Sequence, residues 1–265
     1  RVARILARDG RAAREAAGCE AGSPAAPAAA EQAALTKTKL GTRKTLVLAA
    51  LAGAYIAMGG TLSLLVGYGF AQAAAGNPGL QKLLSGAMFP LGLILVVLAG
   101  AELFTGNVLM VCAKASKKIT FGGLFRNWGI VWVGNLAGSL LAMAIVYLSN
   151  LQGMNGGEVG NAFVSVAAGK VALEPVTLFF KAVLCNILVC LAVWIGFSSK
   201  TTADKVLGIL LPISAFVACG FEHCVANMFY IPAGMMAASA YGIAAEGLNI
   251  GTFILNNLIP ATIGN

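Results

Sequence analysis

Gly100-Ala-Glu102-Leu-Phe-Thr105-Gly-Asn107 and Gly220-Phe-Glu222-His223-Cys-Val225-Ala-Asn227 are two copies of one pattern, Gly-x-Glu-x-x-[Thr/Val]-[Gly/Ala]-Asn. Each glutamate follows a proline, Pro90 or Pro212, by ten to twelve residues, and each copy lies inside a long apolar run. Placing a charged side chain at mid-bilayer costs about 2.5–3.5 kcal/mol, so such a residue persists where it faces a cavity or has a partner. The small residues around it (Gly100, Gly106, Gly220, Ala226) permit a helix break. In a membrane, broken backbone is tolerated only where it lines a cavity or packs in protein. Two broken helices at matching places of a repeated chain point to a transport site. A lone glutamate or histidine that merely bonds a neighbouring helix is the plainer alternative, and repetition with matched prolines argues against it.

A second echo links Asn127-Trp-Gly-Ile-Val-Trp-Val-Gly-Asn135 with Asn257-Leu-Ile-Pro-Ala-Thr-Ile-Gly-Asn265. A spanning helix needs about 20 apolar residues. Thr45–Ala75, Leu83–Ala113, Leu124–Leu148, Pro175–Phe197 and Val206–Ala240 qualify, and a sixth run begins near Thr252. Units of three spans have opposite topology because three is odd. The expected fold is therefore an all-α membrane protein, a six-span inverted repeat of three plus three with spans two and five broken, laid out like an aquaporin. Span three runs on past Asn135, whereas span six stops at the matching Asn265, which predicts a truncated sixth span and further sequence beyond residue 265.

Composition agrees with this class. Hydrophobic residues make up 58% of the chain and charged residues 11%, with mean hydropathy +0.84; soluble domains carry about 25% charged residues. The net charge of +8 would suit nucleic acid, but the basic residues flank apolar runs, so a nucleic-acid partner is not expected. Lys37, Lys39, Arg43 and Lys44 precede span one. Lys114, Lys117, Lys118 and Arg126 join spans two and three, and Lys200 and Lys205 join four and five. All fall on one side, leaving Lys82, Lys170 and Lys181 for the other, and this asymmetry puts the N-terminus inside. The six cysteines (Cys19, Cys112, Cys185, Cys190, Cys219, Cys224) form no C-x-x-C pair. Five sit in or beside apolar runs and read as small hydrophobes, so neither disulfide, metal nor other cofactor is expected. Residues 1–40, rich in Ala and Arg, read as a disordered leader before a transporter domain over 41–265. The leader is similar to the surroundings of an organelle transit peptide, although Asp9, Glu15, Glu20 and Glu31 fit that poorly, and an initial Arg1 implies preceding sequence.

Beyond the repeat, Phe89-Pro-Leu-Gly-Leu-Ile-Leu, Glu102-Leu-Phe-Thr-Gly-Asn, Ala113-Lys-Ala-Ser, Asn127-Trp, Gly134-Asn135, Asn186 with Val189-Cys-Leu-Ala-Val-Trp194, and Gly220-Phe-Glu-His-Cys-Val-Ala-Asn-Met-Phe resemble the formate/nitrite transporters over about residues 40–265. The resemblance implies a homopentamer with a pore through each protomer. It implies that Phe89 and Leu93 form pore wall, that Leu103 and Phe216 are the two constrictions, and that Thr105 and His223 are the polar pair between them. Glu222 would hold the broken segment, with Glu102, Asn107 and Asn227 in supporting places, and Lys170 would be an outer lysine partnered by Asn186. The glycines of spans one and three are read as close-packing positions, and Lys181 as snorkelling.

A bare anion crossing greasy constrictions meets a large desolvation cost, its neutral acid a smaller one. His223, the one histidine of the chain, has an ordinary pKa near 6.5 and is suited to exchanging a proton near neutrality. Formate and nitrite accept protons and chloride does not; a charged imidazole that simply attracts the anion is the alternative. The expected partners are thus a small anion, protons and the bilayer. A single histidine rules out a His-Glu-x-x-His metal site, there is no G-x-S-x-G string, and twin-histidine ammonium or paired Asn-Pro-Ala water channels do not fit. A structural scaffold gives no reason for the mirrored glutamates. The Ala/Arg-rich leader favours an algal plastid protein carrying nitrite, with a plasma-membrane formate channel, or a hydrosulfide or lactate channel of the same family, as the alternative.

Overall fold

The computed structural model describes residues 25–69 and 77–265, and every regular element among them is a helix. Four helices are long and apolar enough to cross a membrane unaided: Thr42–Tyr68, Pro78–Ala99, Phe121–Leu148 and Pro175–Ser198. The remaining crossings are assembled from shorter pieces. Span two continues past Ala99 through a break into Phe104–Ala115. Span five joins Thr202–Ala218 to Cys224–Tyr241, and span six is the apolar helix Ile250–Gly264.

The boundaries follow from local chemistry. Thr201 opens span five with a capping box, accepting from the Asp204 N–H while the Asp204 carboxylate accepts from the Thr201 N–H. Pro175 sits in the first turn of span four, where its missing N–H costs nothing, and Glu174 caps that turn. In span six a π turn over Phe253–Leu258 runs directly into Pro260, which has no N–H to close an ordinary turn.

Spans one and three touch backbone to backbone. A Cβ on Gly53 would lie 2.1 Å from the Asn135 carbonyl oxygen, and one on Gly138 would lie 1.8 Å from that of Ala50. The glycine stripe is thus a contact surface, as small residues are in membrane helix pairs. Gly138→Ala is expected to cost about 3 kcal/mol through overpacking. Gly129→Ala, where nothing lies within 4 Å of the added carbon, should leave the melting temperature in detergent unchanged or higher. Equal melting of the two variants would refute the contact.

Two helices were not anticipated. Ala25–Lys39 is helical, so the disordered leader expected over 1–40 does not extend to these residues; residues 1–24 lie outside the described part. Its alanine spacing buries Ala26, Ala30 and Ala34, and Glu31 accepts hydrogen bonds from Lys118 and Ser116 of the turn between spans two and three. Those bonds hold the Glu31 carboxyl below its ordinary range. Glu158–Val171 is also a helix, packed on the second half of span five, where Gly234 leaves room for Ala167 and the Phe163 carbonyl. Each helix leads into its own three-span unit and ends near a lysine, Lys37 or Lys170. The repeat is therefore a four-helix unit, used twice.

Candidate functional site

Pro90 interrupts the helical hydrogen-bond ladder of span two at Phe89. The chain then runs as a helix to Ala99, where Gly100 turns it with φ +67°, a left-handed conformation that glycine adopts without strain. The Gly100 and Ala101 N–H groups close back on the Val97 and Val96 carbonyls. Span five repeats this at Gly220 (φ +66°), with Phe221 N–H donating to Phe216. Three non-helical residues follow each turn, and the last of them is extended: Leu103 at φ −106°, ψ 125° and His223 at φ −113°, ψ 113°.

The two breaks are held by one scheme, built twice. In the first half Lys37 Nζ donates to Glu102 Oε1 at 2.8 Å. Asn107 Nδ2 donates to Glu102 Oε2 at 2.7 Å and to Asn127 Oδ1 at 2.8 Å. In the second half Lys170 Nζ donates to Glu222 Oε1 at 2.9 Å. Asn227 Nδ2 donates to Glu222 Oε2 and to Asn257 Oδ1, each at 2.7 Å. Both glutamates are about 4% exposed, so each mid-membrane charge is neutralised by a lysine and an amide. Lys170 is consequently paired with Glu222. Asn186 instead donates to the Asn265 carbonyl at 2.6 Å, so the expected Lys170–Asn186 partnership is replaced by an interhelical bond from Asn186. Lys170 is also no free cation for attracting anions, because its charge is met.

Between the breaks, Thr105 Oγ1 and His223 Nε2 lie 3.0 Å apart, both buried. The Ala226 N–H donates to His223 Nδ1 at 3.0 Å, making the histidine the cap of its own helix. Nδ1 therefore carries no proton, and the neutral ring has its hydrogen on Nε2, directed at Thr105. Phe216 stacks on the imidazole, with centroids 5.8 Å apart, and meets Phe89 edge to face at 5.3 Å.

A cavity of about 610 Å³ opens on the side of the basic clusters, lined by Lys37, Lys44, Leu93, Leu103 and Lys205. From the other side a cavity of about 220 Å³ reaches Phe89, Lys170, Phe216, Glu222 and His223. A further space of about 460 Å³ adjoins it through Leu64, Ser85, Val166 and Val217. Leu93 and Leu103 thus line one cavity and Phe89, Phe216 and His223 the other, with Thr105 buried against His223. Lys37 was not anticipated: its glutamate lies 65 residues away, against 52 for Lys170, so the two lysines do not align when the motifs are superposed. Asn127, Asn135, Asn257 and Asn265 were visible as an echo without an assigned task.

The family model for the formate/nitrite transporters matches residues 25–265. A probable formate transporter of Methanothermobacter thermautotrophicus is 43% identical over 244 residues, covering 86% of this chain and 85% of its own length. The formate channel FocA of Escherichia coli K12 is 41% identical over 256 residues, covering 91% and 88%. Among solved structures, a pentameric formate channel with formate bound superposes with TM-score 0.77 at 40% identity, covering 84% of this chain and 91% of that one.

Proposed function

The chain belongs to the formate/nitrite transporter family, a family of membrane channels and not of enzymes, and on that premise we propose that it conducts formate, with nitrite as a second, less favoured passenger. The sequence alone had put nitrite first; the relatives named for formate reverse that order. The observation that carries the proposal is the buried Thr105–His223 pair, with a cavity lined by Leu93 and Leu103 on one side and a cavity lined by Phe89, Phe216 and His223 on the other.

A formate ion leaving either cavity sheds water at Leu103 or at Phe89 and Phe216, and bare charge is costly there. Moving with a proton removes that cost, which a weak acid can do and chloride cannot. The histidine geometry refines its part. With Nδ1 receiving the Ala226 N–H, the ring is neutral and its Nε2–H is given to Thr105 Oγ1. The threonine hydroxyl hydrogen is then free to point at a carboxylate oxygen. The helices beginning at Phe104 and Cys224 start next to Leu103 and His223, and a helix N-terminus favours negative charge. A charged imidazole needs a second proton on Nδ1, which displaces the capping N–H, so the neutral form is the resting one.

The chain assembles as a homopentamer on this proposal, as its solved relative does. Its N-terminus lies inside, on the side of the basic clusters. With formate preferred on the naming of its relatives, the plasma membrane replaces the plastid envelope as the favoured location.

Proteoliposomes provide the test. Formate should enter fast, nitrite more slowly and chloride not measurably, with formate flux rising as the external pH is lowered. Chloride flux equal to that of formate, or formate flux indifferent to pH, would overturn the weak-acid mechanism.

A further inference from the structure

The echo that ends in Gly134-Asn135 and Gly264-Asn265 has so far no task, and its geometry is the same in both halves. Asn135 Nδ2 donates to the Ala49 carbonyl at 2.8 Å and the Glu102 carbonyl at 2.9 Å, and Asn135 Oδ1 accepts from Phe104 N–H at 2.9 Å. Asn265 Nδ2 donates to the Ala182 carbonyl at 2.7 Å and the Glu222 carbonyl at 3.0 Å, and its Oδ1 accepts from Cys224 N–H at 2.8 Å.

In each half the amide therefore grips the carbonyl before, and the N–H after, a single residue: Leu103 in one case, His223 in the other. This is the hydrogen-bond pattern that a neighbouring β-strand would offer, supplied by one side chain, and both gripped residues are extended as strand residues are. The third bond, to Ala49 or Ala182, ties the grip to the first span of the same unit. The preceding glycine lets the amide reach. A Cβ on Gly134 would lie 2.5 Å from Ala49 Cβ, and one on Gly264 would lie 2.7 Å from Ala182 Cβ. Both Asn135 and Asn265 have their amide groups fully partnered, whereas Asn127 Nδ2, Asn186 Oδ1 and Asn227 Oδ1 are buried without partners.

We infer that Asn135 and Asn265 are the positioning residues of the passage, Asn135 setting the Leu103 constriction and Asn265 setting His223 against Thr105. The inference rests on reading the passage as an anion pore, and it assigns the two asparagines different consequences. Neither touches the passing molecule; each acts through the residue it grips.

The test compares Asn135→Ala and Asn265→Ala in proteoliposomes, with flux normalised to assembled protein. Asn135→Ala should loosen the size limit, so that lactate and larger monocarboxylates enter faster relative to formate by about tenfold to a hundredfold, the scale of an ångström-level misplacement. Its pH profile should stay unchanged. Asn265→Ala should lower formate flux by a similar factor and flatten the pH profile, with the size limit unchanged. A merely structural role would alter the yield of both variants without separating the two readouts. Backbone amide exchange in the unsubstituted protein gives a measurement that needs no variant. The Phe104 and Cys224 N–H groups, although at helix breaks, should exchange as slowly as mid-helix amides. Fast exchange at both, or variants with unchanged size limit and pH profile, would overturn the inference. If the unsubstituted protein passes no formate at all, it is the proposed substrate that fails.

Discussion

Lys170→Met is expected to lose most of its assembled protein, or to melt far below the unsubstituted chain in detergent. Glu222 is buried with Lys170 bonded to both of its carboxylate oxygens, at 2.9 and 3.1 Å, and removing the lysine leaves a buried carboxylate without its counter-charge. Breaking one partner out of a buried pair costs about 3–5 kcal/mol. The double variant Lys170→Met with Glu222→Gln should recover much of the loss. A glutamine oxygen can still accept from Asn227 Nδ2, and no charge remains unmet. Lys37→Met should cost less than Lys170→Met, because the Lys37 side chain is 21% exposed against 17% and borders the larger cavity, where water can reach Glu102. Lys82→Met serves as the control for a lysine outside these pairs. Melting of Lys170→Met at the same temperature as that control would show that the pair does not hold the break.

His223→Phe should lower formate flux by about a hundredfold, the scale on which a preorganised donor acts in a water-excluded site. The phenyl ring keeps the stack on Phe216 but offers nothing to Thr105 Oγ1 and leaves the Ala226 N–H uncapped. Two effects are then mixed, a conduction defect and a cap loss of about 1 kcal/mol. His223→Asn separates them. Asparagine is a good cap and keeps the helix start, but its short side chain does not span the distance to Thr105. Stability near that of the unsubstituted chain, with flux as low as in His223→Phe, is the expected outcome. Unchanged pH-dependent formate uptake in both variants would remove His223 from the mechanism.

How far the sequence carried the structure can be judged residue by residue. The helix breaks were legible because their signals are local: proline, glycine, a misplaced glutamate and the repetition of all three. The resemblance had grouped Phe89, Leu93, Leu103, Thr105, Phe216 and His223; Leu93 and Leu103 line one cavity, Phe89, Phe216 and His223 the other, and Thr105 is bonded to His223. The helix Ala25–Lys39 was not, since alanine and polar residues without an apolar face resemble a linker until Glu31 finds Lys118. The partners of the lysines were hidden for another reason. An ion pair leaves no mark on spacing when its members are 65 or 52 residues apart, and Asn186 offered Lys170 a plausible partner of the right polarity. The asparagine grips were in plain view as an echo, but nothing in a string of letters says that an amide will stand in for a strand.

Leu103 and His223 occupy one and the same place in two copies of a single frame. An aliphatic side chain fills it in one copy and an imidazole in the other, while the lysine, glutamate and asparagines around them are repeated. On the proposed reading, support and choice are thereby separated between the repeated frame and the side chain it presents. In the proposed pore, exchanging what stands in one slot would change what is admitted, because the frame bonds the backbone on either side and has no stake in which side chain it presents.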